Sequence, residues 1–294
     1  MRPLIIAHRG ASSDAPENTA AAFRAAIEQG ADMVELDVRW SAEGIPVVMH
    51  DPDVERTTDG KGRVAALHLE EFRRLDAGAW FSSTFRGEPV LTLSETLAIL
   101  GARIRMNIEL CADVQPPERF AARLMRLVED ARLPEAPLFS SFDFSLLTAL
   151  RAEHADARIA PLFRAATPPV LRRVLELGAE AAHPRRHLVT PGLLRRLHGA
   201  GLRVHAWTVN DAPEARRLLR LGVDGIFTDH PLRMVRLRAL EAARPAERAR
   251  AEALSRARSA ARRPAAGTSA ARTAAGRGPA APRGRGGRGR RRAT

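Results

Sequence analysis

Glu35 and Asp37 stand two apart in Met33-Val34-Glu35-Leu36-Asp37-Val38. An extended chain therefore sends both carboxylates to one face and Val34, Leu36 and Val38 to the other. Charge in such an apolar strand is costly unless something compensates it. Two readings are open: a surface edge strand with one solvated face, or two oxygen ligands for a cation. Met106-Asn107-Ile108-Glu109-Leu110-Cys111 repeats the pattern, with Asn107, Glu109 and Cys111 on a common face. Three carboxylates from neighbouring strands suit a hard divalent cation, Mg²⁺ or Ca²⁺. Zinc is less suited, because Cys111 is the one cysteine. His8 closes the β-like run Leu4–His8, and His50 follows Pro46–Met49. Either alone reads as structural; two at strand ends read as a general acid and a general base. Beside His8, Arg9 offers a planar fork for phosphate oxygens and Gly10 allows close backbone approach.

The elements that must position these groups alternate. Strands are predicted at Leu4–His8, Met33–Val38, Arg105–Leu110, Leu138–Ser141, Arg158–Leu162, Ala179–His183, Arg203–Thr208 and Gly225–Thr228. Helical patterns between them include Asn18–Gln29, Ser94–Leu100, Glu118–Ala131, Pro169–Leu177 and Ala212–Leu221, with Gly30, Gly101, Gly178 and Gly222 placed as C-caps. Eight strand–helix units predict an α/β fold, a (β/α)₈ TIM barrel over residues 1–243. A doubly wound sheet is the alternative, but no Gly-rich phosphate loop follows the first strand. Residues 44–90 read as a small insertion after the second strand, roofing the C-terminal face where barrel active sites are built.

The net charge of +13 sits in one place. Residues 242–294 hold 15 of the 47 basic residues and only 2 of the 34 acidic ones, so residues 1–241 are neutral with 32 of each. The segment 244–294 is dominated by Arg, Ala, Gly and Pro, and reads as a disordered basic tail. It lacks Phe, Tyr and Trp for base stacking, yet could attract polyanions such as nucleic acid electrostatically. One cysteine excludes a disulfide scaffold, and no run of 18 apolar residues predicts a transmembrane segment. A β-like run starting at Leu4 leaves no room for a signal peptide, which predicts a cytoplasmic protein.

An ordered set of motifs resembles the glycerophosphodiester phosphodiesterase family: His8-Arg9-Gly10, Pro16-Glu17-Asn18-Thr19, Glu35-Leu36-Asp37, His50-Asp51, Arg56-Thr57-Thr58-Asp59-Gly60, Asn107-Ile108-Glu109, Ser141-Phe142-Asp143, Trp207-Thr208-Val209-Asn210 and Asp224-Gly225-Ile226-Phe227-Thr228-Asp229. The resemblance implies metal-dependent hydrolysis of small glycerophosphodiesters to an alcohol and glycerol 3-phosphate. By position it implies Glu35, Asp37 and Glu109 as metal ligands, and His8 and His50 as the acid–base pair. It further implies Arg9 as a phosphate contact, Trp207 on the seventh strand as a pocket wall, and Glu17 as the group that orients Arg9. Where the family usually has Lys, two residues past the third ligand, this chain has Cys111. Alternatives are a related phosphodiesterase acting on lysophospholipids, or a degenerate barrel that binds polyanions or RNA through its tail.

Overall fold

A computed structural model describes residues 2–111 and 117–243. Nine strands appear in the order β1 Leu4–His8, β2 Met33–Trp40, β3 Pro46–Val48, β4 Arg105–Leu110, β5 Leu138–Ser141, β6 Ile159–Phe163, β7 Ala181–Pro184, β8 Arg203–Ala206 and β9 Gly225–Thr228. Eight of them pair in parallel, and β1 bonds to both β2 and β9, so the sheet closes on itself as a (β/α)₈ barrel. The ninth, β3, runs antiparallel to β2.

The helices between strands are α1 Ala20–Glu28, α2 Leu69–Phe72, α3 Leu93–Leu100, α4 Pro117–Asp130, α5 Phe144–Glu153, α6 Pro168–Glu176, α7 Pro191–Gly199 and α8 Ala212–Leu221; residues 231–243 form α9. Their starts follow local chemistry. Thr19, Asp143, Thr190 and Asp211 each accept a backbone N–H of the first turn, and Thr92 with Glu95 makes a reciprocal capping box. None of the helices among the described residues is long and apolar enough to cross a membrane.

Two apolar layers seal the outside of the barrel. Val34, Leu36 and Val38 of β2 pack with Phe23 of α1, Leu97 of α3 and Phe120 of α4. Across the molecule, Val204 and Ile226 pack with Val174, Leu197, Leu218 and Met234. The apolar face of β2 thus points at helices, and its carboxylate face must point into the barrel. Because β2 is paired on both edges and buried along its whole length, the edge-strand reading of Glu35 and Asp37 is ruled out.

Between β2 and α3 the chain builds a small annex with its own core of Val47, Met49, Val54, Val64, Phe72, Ala77 and Val90. Four barrel strands differ from expectation, and β2 does so by running on to Trp40 beside β3. β6 runs Ile159–Phe163, one residue later than expected at each end, and Arg158 before it turns its guanidinium to Glu135 and Glu180. β7 starts at Ala181 rather than Ala179, and β8, the seventh barrel strand, stops at Ala206, leaving Trp207 just past its end. Trp207 is joined to Arg185 by an isolated parallel bridge and to Thr208 by a cis peptide bond. The expected disordered tail, 244–294, lies outside the described residues.

Candidate active site

Strand register brings the distant motifs together. His8 is level with Glu35, Glu35 with Asn107, and Asp37 with Glu109 and then Ser140. Of these, His8, Glu35 and Glu109 line a cavity of about 100 Å³. One wall of that cavity is His8, Arg9, Glu35, His50 and Glu109.

Each histidine is held by an aspartate. Nδ1 of His8 lies 2.6 Å from Oδ1 of Asp229, which follows β9. Burial pushes the Asp229 carboxyl up, but His8, Asn210 and Ser12 outweigh it and hold it at about 2. Nδ1 of His50 lies 2.5 Å from Oδ1 of Asp51, whose second oxygen accepts from Arg56. That arginine bond is the main reason Asp51 is held at about 2. With Nδ1 engaged, each imidazole has Nε2 left for chemistry.

Arg9 adopts a left-handed backbone (φ 57°), and Gly10 follows at φ 85°. A Cβ at Gly10 would lie 2.7 Å from the Ala22 backbone, so this turn requires glycine. The bend lets the Arg9 amide donate to Glu35 Oε2 at 2.8 Å. The side chain donates to Glu17 at 2.8 Å, and its Nε is 3.1 Å from Asp37. Glu17 bridges Arg9 to Arg56. Asn18 donates to Asp37 at 2.9 Å.

The carboxylates crowd one another. Glu35 and Asp37 are 1% and 0% exposed, and Glu35 Oε1 and Asp37 Oδ1 are buried without a hydrogen-bond partner. Burial, then the charges of Asp37 and Glu109, push the Glu35 carboxyl well above its usual range despite Arg9. Burial and Asp37 raise Glu109 to about 8, against the pull of Arg9, Arg164 and Arg39. Ligand atoms of Asp37, Glu109 and Cys111 lie within 4.8 Å of one another. The tightest trio therefore includes Cys111 rather than Glu35, although Glu35 lines the cavity beside Glu109. The Cys111 thiol is pushed well up by burial and by Asp37 and Glu109; it sits 3.9 Å from the His50 carbonyl. Orphaned, buried carboxylate oxygens are a donor set that fits a hard divalent cation.

The rest of the lining includes Phe142, Arg164, Trp207 and Phe227. Trp207 donates its indole N–H to the His183 carbonyl at 2.7 Å and meets Phe142 edge-to-face, with centroids 5.3 Å apart. Phe142 and both aspartates fall within the sequence motifs, but nothing local marks their roles, and Arg164 lies outside every motif. Asp51 had a readable signal, adjacency to His50; Asp229 is 221 positions from His8.

Residues 8–233 match the glycerophosphoryl diester phosphodiesterase family. A glycerophosphodiester phosphodiesterase of Caldanaerobacter subterraneus is 34% identical over 238 residues, covering 81% of this chain and 98% of that one. An Oleispira antarctica phosphodiesterase, solved with its product sn-glycerol-3-phosphate, superposes with a TM-score of 0.76 at 32% identity, covering 80% of this chain and 96% of that one. A glycerophosphodiester phosphodiesterase of Agrobacterium tumefaciens superposes with a TM-score of 0.70 at 32% identity, covering 79% of this chain and 99% of that one. A closed barrel with this wall of histidines and carboxylates, matched along nearly its whole length, belongs to the glycerophosphoryl diester phosphodiesterase family.

Proposed function

We propose that residues 1–243 hydrolyse glycerophosphodiesters to an alcohol and glycerol 3-phosphate, with His8 and His50 as the acid–base pair and Glu35, Asp37 and Glu109 holding Mg²⁺ or Ca²⁺. The observation that carries this reading is the convergence of two aspartate-held imidazoles and the carboxylates of Glu35 and Glu109 on one small cavity of a family barrel, with Asp37 buried level with Glu109. When bound, the cation would offset the carboxylates and neutralise phosphoryl charge. Arg9 lines the same wall, and Glu17 fixes its guanidinium. Trp207 lines the same cavity.

The two imidazoles divide the proton work. One accepts the proton of a hydroxyl on the substrate's glycerol as that oxygen bonds to phosphorus; the other protonates the departing alcohol as its P–O bond breaks. Water then opens the cyclic phosphate with the roles reversed, giving glycerol 3-phosphate. Each carboxylate partner stabilises the imidazolium form during transfer.

The test is release of glycerol 3-phosphate from glycerophosphoethanolamine with Mg²⁺, with Ca²⁺ and with chelator. Chelation should abolish turnover. His8→Ala should lose about 10²–10⁴-fold in kcat, the usual worth of an acid–base group, and Glu35→Gln should weaken metal binding. No release from folded, metal-loaded protein across several diesters overturns the reading.

A further inference from the structure

Arg9 reaches the cavity with its charge already matched. Its amide and side chain contact Glu35, Glu17 and Asp37. Even with a divalent cation offsetting two of the three carboxylates, an anionic phosphodiester adds to the negative charge that remains, and the cavity lining carries a second cationic group besides Arg9. Arg164 follows β6 directly. Its guanidinium carbon lies 3.7 Å above the Phe142 ring and 5.6 Å from the Trp207 ring. Trp207 is itself pinned to the His183 carbonyl. Among the described residues Arg164 makes no hydrogen bond and no ion pair, yet its charge is felt at Glu109 across the cavity. Stacking uses the face of a guanidinium and leaves its edge of N–H donors in plane and available.

We propose that Arg164 is a substrate-binding residue, presenting this edge to the phosphate oxygens while Phe142 and Trp207 hold its plane. The proposal rests on the phosphodiesterase reading of the site. It explains why an exposed arginine is laid over two rings at the mouth of an acidic pocket, where a free side chain would otherwise point to solvent. Lysine would be a poor substitute, since a point charge neither stacks nor forks.

The experiment uses the full chain loaded with Mn²⁺ and measures the Kd for sn-glycerol 3-phosphate, together with KM and kcat for glycerophosphoethanolamine. Arg164→Gln should raise Kd and KM at least tenfold and change kcat less. Arg164→Lys should fall between, and Phe142→Leu should raise both constants a few-fold. Mn²⁺ affinity, read by electron paramagnetic resonance, should match wild type in all three, which separates lost anion binding from lost structure. Kd and KM within twofold of wild type in Arg164→Gln overturn the proposal, as does wild-type protein that fails to bind glycerol 3-phosphate. Wild type that binds this product but cleaves no diester sinks the hydrolytic reading alone, and Arg164 is then judged on the binding series.

Discussion

An imidazole can move a proton usefully only if its ring is held in one tautomer and one orientation, and here that work falls to two aspartates. Asp229 sits 2.6 Å from His8 and also takes Asn210 and Ser12, so the ring is anchored through a small network. Asp229→Asn keeps the shape but offers an amide where the ring needs an anion. It should lower kcat by up to about 10²-fold, the lower end of what an acid–base group supplies, with KM within about threefold. Steady-state kinetics on the metal-loaded enzyme would check this, and an unchanged kcat would remove Asp229 from the proton path. Glu35, Asp37 and Glu109 were legible in the sequence because period-two alternation is local. The Asp229 partnership was not, because it spans 221 positions. Arg164 was hidden for another reason: one arginine among 46 carries no signal until a fold sets it over a ring.

At the scale of elements, the barrel strands were readable wherever apolar runs end at a turn, as in β1, β4, β5 and β9. An end shifted where a partner strand extends the ladder, as in β2, which runs on to Trp40 because Val38, Arg39 and Trp40 pair with Val48, Val47 and Pro46 of β3. The annex after β2 is the less legible element, because its core is built from seven residues scattered over 47–90. It matters to chemistry, since Met49 belongs to that core and His50 is next in the chain. Phe72 of α2 is fully buried there. Phe72→Ala should cost about 3–5 kcal/mol in denaturant unfolding, from lost transfer energy plus the cavity left behind. Below its melting temperature the variant should also lose kcat, because His50 would no longer be held against the cavity. A full kcat in the destabilised protein would show instead that β3 and Asp51 suffice to fix the ring.

For the molecule as a whole, the barrel interior holds a second histidine pair that takes no part in the proposed reaction. His183 Nε2 and His205 Nδ1 are 3.1 Å apart, fully buried in β7 and β8, and Phe227 stacks against them edge-on. His183 Nδ1 and His205 Nε2 have no hydrogen-bond partner. Burial, aided by the neighbouring ring, drives His183 well down; burial takes His205 to about 4, although Asp224 and Glu180 pull the other way. Both rings are thus neutral in the fold, whereas in the unfolded chain each protonates near pH 6.5. Below that pH the unfolded state binds more protons, so stability falls with pH, approaching about 1.4 kcal/mol per pH unit for each ring. The loss should run from about pH 6.5 down to about 4 for His205 and further for His183. The raised carboxyls of Glu35 and Glu109 act in the opposite sense, binding protons preferentially in the fold. The comparison that isolates the rings is therefore wild type against His183→Leu/His205→Leu, both metal-free, by urea unfolding between pH 7.5 and 5. Those carboxyls are common to both proteins, so the stability difference should shift toward the variant as pH falls below 6.5. Parallel curves would mean that both rings take up their protons inside the fold as they do in the unfolded chain.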